Sequence, residues 1–293
     1  LLDAPLLAAL EQAVSEYTRR VWSVKSAKDL SDYACHPCAI LSDGSFPVFA
    51  KYGDEAEAPE QFERELADLE YLSSRAEVSV PTLIGVVEAG DGMLFITEAL
   101  RAIERRPTQW REIGKTLARI HSLTSDHHGF ASDGFIGPLR QDNRPSQDWV
   151  TFYRDRRLLP RLRTAVDSGN LPSTVAHQVD SLIPRLPELG GDDVTPRLLH
   201  GDAQQNNFIS TERGTFVIDP AVYYGNPEID LARIDCFQAV PDDVFDAYHE
   251  EMPIDPGFGE RRNLWRISIY LAAVAIEGQM HLGRLTGSLS DYQ

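Results

Sequence analysis

The stretch LLHGDAQQNNFIS, residues 198–210, sets two ionisable side chains, an asparagine pair and two glutamines between apolar ends. A solvated turn would account for the polarity alone, since Asp is a common turn residue. The wider pattern argues for more. The next apolar run, TFVIDP (215–220), ends at Asp219, and Arg213-Gly214 marks a turn between the two runs. A hairpin built this way brings Asn207 and Asp219 to neighbouring strand ends, where an amide and a carboxylate oxygen suit a hard cation such as Mg²⁺. Asp202 then projects from the adjoining loop, able to accept a proton.

Phosphoryl transfer uses this set of groups: a carboxylate that orients a hydroxyl nucleophile, an amide and a carboxylate that hold Mg²⁺ on a triphosphate, and a lysine for the phosphates. Lys51 ends the apolar run PVFAK (47–51). Strand alternation there places Val48 and Ala50 on one face and Phe49 and Lys51 on the other. A helix follows over PEQFERELADLEYLSSRA (59–76), started by Pro59, with Phe62, Leu66, Leu69 and Leu72 on one side and Glu65 positioned to pair with Lys51. Taken singly, Lys51 is an ordinary solvated strand end, and Glu65, near Glu63 and Glu70, is part of a charged face. The order lysine, glutamate, HGD, Asn, Asp favours the functional reading.

Around these motifs the chain changes texture. A helical N-terminal segment (5–21) precedes short β-type runs connected by SDGS (42–45) and Gly90-Asp91-Gly92, whereas the sequence from residue 107 onward is mostly helical in pattern. The expectation is an α+β chain: a strand-rich nucleotide-binding lobe over 1–100, and a helical lobe over 101–293 that holds the catalytic loop and the acceptor site.

Composition narrows the partners. The 293 residues include 45 acidic and 28 basic ones, a formal net charge of −17, which repels nucleic acid and anionic membrane in the absence of a local basic patch. No apolar run approaches the roughly 20 residues of a membrane span, and the N-terminus lacks the features of a signal peptide, so a cytoplasmic location is expected. The absence of an initiating Met points to a trimmed chain. Three cysteines build no disulfide framework. Cys35 and Cys38 of CHPC lack a second pair for a zinc site and are read as passive, with oxidative control of nucleotide binding as the alternative. His121, His127 and His128 are read as surface or packing residues.

LLHGDAQQNN, VIDPAVYYGNPEIDLA and DWVTFYRDRRLLP together resemble the fructosamine kinase (ketosamine 3-kinase) family, within the kinase-like superfamily that includes aminoglycoside phosphotransferases and choline kinases. The resemblance implies a bilobal protein-kinase-like fold and an ATP- and Mg²⁺-dependent transfer to a hydroxyl of a ketosamine, a repair step on glycated amines. It makes Asp202 the catalytic base, braced by His200 and Asp230, and gives Asn207 and Asp219 to Mg²⁺. Lys51 with Glu65 then holds the ATP phosphates. TEAL (97–100), with Glu98 and Leu100, becomes the hinge that meets adenine, and Gln141, Asn143, Asp148 and Trp149 lie near a sugar-amine substrate. Two features differ from the family pattern. The phosphate-covering stretch KDLSDYACHPCAIL (28–41) has no glycine, which leaves Ser31 as a candidate phosphate donor, and YLAAVAIEGQM (270–280) is less polar than a polyol-binding helix. Phosphotransfer to an aminoglycoside or another small amine, and a pseudokinase that binds without catalysis, are the competing functions.

Overall fold

Five strands form one antiparallel sheet in the order β1-β2-β3-β5-β4: β1 Ser26–Asp29, β2 Cys38–Ser42, β3 Pro47–Gly53, β4 Leu83–Ala89 and β5 Gly92–Glu98. The computed structural model describes residues 3–33, 35–190 and 194–293; Ala34 of the expected phosphate loop and residues 191–193 of the sequence between the third and fourth helical patterns lie outside the described residues. Helix α1 (Ala4–Thr18) covers one sheet face, packing Leu6, Leu10 and Val14 against Leu41, Val48, Ala50, Leu94 and Ile96. Helix α2 (Ala58–Ala76), opened by Pro59 in its first turn, meets the other face through Phe62, Leu69 and Phe95. The alternation expected along β3 is present, because Val48 and Ala50 belong to the α1 side while Lys51 lies 5.0 Å from the Phe95 ring centroid on the α2 side.

The chain divides into two compact units, Leu1–Glu104 with Ile209–Asp219, and Arg105–Phe208 with Pro220–Gln293. This differs from the expected division after residue 100. The hairpin of β9 (Phe208–Thr211) and β10 (Gly214–Val217) packs with the first unit through backbone bonds: Val217 N donates to Ser79 O (2.8 Å) and Ile103 N to Ser210 O (2.9 Å).

The second unit is helical. Its helices are α3 (Pro107–His121), α4 (Trp149–Tyr153), α5 (Leu159–Asp167), α6 (Ser173–Leu182), α7 (Leu186–Leu189), α8 (Glu228–Arg233), α9 (Asp243–Glu251), α10 (Phe258–Glu277) and α11 (Leu282–Ser290). A π-helical turn over Arg154–Leu158 joins α4 to α5. Two short strand pairs, β6 (Gly134–Ile136) with β7 (Leu139–Gln141) and β8 (Arg197–Leu199) with β11 (Tyr223–Gly225), complete it. Helix α10 is buried from Leu264 to Val274 except at Arg266, where its sequence is mostly apolar. The first half of the weakly polar YLAAVAIEGQM run is core, since Tyr270, Leu271, Ala272, Ala273 and Val274 are buried. Helices α3 and α9 approach so closely that a Cβ on Gly114 would sit 2.1 Å from the Val244 carbonyl oxygen, which excludes any side chain there. Among the described residues no helix is long and apolar enough to cross a membrane.

Candidate active site

In the first unit, the sheet brings Lys51 to the α2 face, where two carboxylates meet its ammonium: Glu65 Oε2 at 2.5 Å and Asp219 Oδ1 at 2.9 Å. Burial opposes the charged lysine, but Asp219 and Glu65 more than offset it, so Lys51 titrates above its ordinary value and stays a cation at neutral pH. Asp219 adopts a left-handed backbone (φ +50°), sparsely populated for a residue with a side chain. It is half-exposed, so its carboxylate also faces solvent.

Beside this cluster lies a cleft of about 210 Å³, contained in the first unit and lined by apolar side chains that include Ile40, Phe49, Ile209 and Ile218, with Glu65 and Asp219 on its wall. The expected hinge, Thr97 to Leu100, also lines it. The N–H of Glu98 donates to Thr82 O and that of Ala99 to Pro47 O, whereas the Leu100 N–H has no partner among the described residues. That N–H is a backbone donor at the cleft, suited to a heterocycle edge. The Glu98 side chain points elsewhere and accepts from Arg213 Nη2 (2.7 Å). Ser31, expected as a phosphate donor, gives its hydroxyl proton to Asp29 Oδ1 (2.6 Å) and accepts from Cys38 N (3.1 Å), so it closes the loop on itself. Cys38 is buried, which pushes its thiol above the ordinary range and disfavours the reactive thiolate; Cys35 is exposed.

In the second unit, HGD leaves strand β8 and its backbone is tied to Asp230 of α8. The fully buried Asp230 carboxylate accepts from His200 N (2.7 Å) and Gly201 N (3.1 Å) and meets His121 Nε2 (3.2 Å). His121 Nδ1 in turn lies 2.8 Å from the Tyr248 hydroxyl. His200 Nδ1 accepts from Asp202 N (3.2 Å), and its ring lies 5.4 Å from that of Phe208. The Asp202 carboxylate pairs with the buried Arg233 guanidinium and accepts from Gln204 Nε2 (3.0 Å). Asn207 donates from Nδ2 to the Asp202 carbonyl (2.8 Å), which orients the amide and leaves its oxygen as a hard donor. Gly201 is required on two counts: its φ is +79°, and a Cβ would stand 1.9 Å from the Ala221 carbonyl oxygen. Gly201→Ala is expected to destabilise the protein by about 2–4 kcal/mol, read from the urea unfolding midpoint, and to displace the loop that carries Asp202.

The structure thus gathers Lys51, Glu65 and Asp219 in the first unit, and His200, Asp202, Asn207 and Asp230 in the second. The expected substrate positions have other work. Asn143 is 1% exposed and accepts from Arg157 Nη2 (2.6 Å), while Trp149, 2% exposed, packs among Phe152, Tyr153 and Trp265. Asp148 caps α4 by accepting from Thr151 N (2.7 Å). These three positions make contacts that support the fold, and Gln141 grips a buried arginine, Arg161 (2.6 Å). The sequence reading missed His121 and Arg233. Helical spacing from Asp230 to Arg233 was the one available signal for the latter.

A fructosamine kinase family model matches residues 6–292. The ketosamine-3-kinase of Mus musculus is 29% identical, with 76% of this chain and 81% of that protein covered. The solved structure of a Thermobifida fusca protein carrying the fructosamine-3-kinase name is 28% identical, with a TM-score of 0.83 over 96% of this chain and 97% of that one. The choline kinase LicA of Streptococcus pneumoniae, at 16% identity and a TM-score of 0.63 over 96% and 98%, shares the kinase-like fold, which agrees with the α+β class expected from the sequence. The family model runs through both units, taking in the lysine strand, the HGD loop and the closing helices, and the chain belongs to the fructosamine kinase family, phosphotransferases with an alcohol group as acceptor.

Proposed function

We propose that this kinase transfers the γ-phosphoryl group of ATP, with Mg²⁺, to a hydroxyl of a ketosamine, a glycated amine of the fructosamine or ribulosamine type, as a repair step. The observation that carries the reading is the family match over residues 6–292, to which each unit adds the appropriate chemistry. In the first unit, Lys51 is held as a cation by two carboxylates beside an apolar cleft, which suits the phosphates and the base of a nucleotide. Glu98 and Leu100 contribute hinge backbone to that cleft. In the second unit, Asp202 takes the proton of the acceptor hydroxyl. Arg233 and Gln204 fix the orientation of its carboxylate, and Asp230 fixes the loop through the backbone of His200 and Gly201.

Asp219 of the first unit and Asn207 of the second each present an oxygen of the kind Mg²⁺ takes, so the chemistry of each residue fits the metal. When bound with ATP, Mg²⁺ neutralises charge on the β- and γ-phosphates.

A panel of glycated lysine, ribulosamines, aminoglycosides and choline, scored by ADP release with Mg-ATP, tests the acceptor. The highest kcat/KM is expected on a ketosamine. Preferred turnover of an aminoglycoside or choline would replace the acceptor class, and nucleotide binding without transfer to any of them would make the protein a binding module.

A further inference from the structure

The chain gives most of its arginines around α8 and α10 a carboxylate: Arg233 meets Asp202, Arg261 meets Glu228 and Asp255, and Arg262 and Arg266 share Asp235. Arg161 on α5 departs from this rule. It is 9% exposed, and its hydrogen bonds go to uncharged oxygens, from Nη2 to Gln141 Oε1 (2.6 Å) and from Nη1 to Ser268 Oγ (3.2 Å). No carboxylate of the described residues forms an ion pair with it, and the cations Arg157 and Arg233 lie near enough to oppose its charge. Arg157, one helical turn earlier, bonds the carbonyls of Asp142 and Arg156 and the amide oxygen of Asn143, and stacks 4.0 Å from the Tyr223 ring centroid. Burial, and then the repulsion of Arg157, pushes the Arg161 guanidinium down to about 9.

A purely structural clamp does not explain this arrangement. A buried charge is normally paired with an opposite one, and two neutral acceptors orient a guanidinium without neutralising it. They also use only two of its five N–H groups. Gln141 adds an independent sign: its side chain is 3% exposed, and its Nε2 has no partner even though the oxygen of the same amide grips Arg161. A cation and an amide donor are therefore held side by side, pre-oriented, with their capacity for an anion unspent. The π-helical turn at Arg154–Leu158, a feature that recurs at functional sites, sets the register of the helix just before Arg161.

We infer that Arg161, with Gln141 beside it, recognises an anionic group on the acceptor, and that the glycated amine this chain selects carries a carboxylate, as a glycated free amino acid does. The inference rests on the ketosamine reading above and refines its substrate class. A planar guanidinium fork matches a carboxylate in two-point contact, and a fork already locked by Gln141 and Ser268 loses little freedom on binding. Arg161, Gln141 and the base Asp202 belong to the same unit, and Gln141 is one of the positions that the family resemblance gives to the acceptor. A glycated lysine within a protein chain lacks a free carboxylate and is the poorer acceptor on this account.

The test compares N-fructosylglycine with N-fructosylglycinamide, by calorimetric titration of the full chain and then by ADP release. The acid is expected to bind about tenfold more tightly than the amide or better, with a matching ratio in kcat/KM. That ratio should collapse toward unity in Arg161→Met and recover in part in Arg161→Lys. Equal affinities in the unmodified protein, including no binding of either compound, overturn the proposal without recourse to a variant, as does a ratio that persists in Arg161→Met. A preference for N-fructosylglycinamide 6-phosphate over the acid would move the anion to the sugar and overturn the carboxylate assignment. If the acid is preferred in binding but neither compound is phosphorylated, the anion site stands and the ketosamine kinase reading falls.

Discussion

Asp202→Asn is expected to lower kcat on any accepted ketosamine by about 10²–10⁴-fold, the usual worth of a positioned general base. The substitution keeps shape and removes the charge that accepts the hydroxyl proton. It also takes the carboxylate from Arg233, which is 6% exposed, and leaves that guanidinium buried without a counter-charge, so some loss of stability accompanies the loss of turnover. On the proposed reading Asp202 touches neither the nucleotide nor its metal, and the Kd for Mg-ATP should stay within about threefold of the parent value, well under the ~1.4 kcal/mol that a tenfold change represents. Single-turnover phosphate transfer together with nucleotide titration separates the two effects. Near-normal turnover would remove Asp202 from its role as base and with it the catalytic reading of the loop.

The second large effect is expected for Lys51→Met. Removing the ammonium deletes the cation available to the nucleotide phosphates, with a loss of about 10²–10³-fold in kcat/KM for ATP. A cost in stability follows from the same geometry. The side chains of Lys51 and Glu65 are only 11% and 15% exposed, and burial already holds the Glu65 carboxyl up at about 8, so loss of the ammonium leaves an enclosed carboxyl group without its partner, at a cost in stability. Lys51→Met with Glu65→Gln should recover most of the thermal stability and none of the activity. That split separates a phosphate-binding lysine from one that only supports the fold. If the double variant regains turnover, Lys51 is structural.

The two groups of site residues differ in how far the sequence exposed them. Lys51 and Glu65 were legible because strand alternation and helix phase are local periodicities that survive in a linear string. The HGD loop and the hairpin around Arg213-Gly214 were legible through turn chemistry. His121 was not, since its relation to Asp230 spans 109 residues and no local pattern distinguishes a buried bridging histidine from one on the surface. Trp149 was ambiguous for a related reason. Helical spacing with Phe152 is the same for a pocket wall and for a core, and only the packing of Tyr153 and Trp265 around it identifies the core.

The sequence by itself determined the α+β class, the order of the elements and the chemical identities that mark a phosphotransferase, because each of these is written in short-range spacing and residue type. Only the tertiary structure decided that residues 209–219 pack with the first unit, that Arg233 partners Asp202, and that Arg161 is enclosed with no carboxylate partner among the described residues. Which charges face one another is settled when distant segments bury the same space, and at that point an arginine that looks ordinary in the sequence acquires its electrostatic meaning.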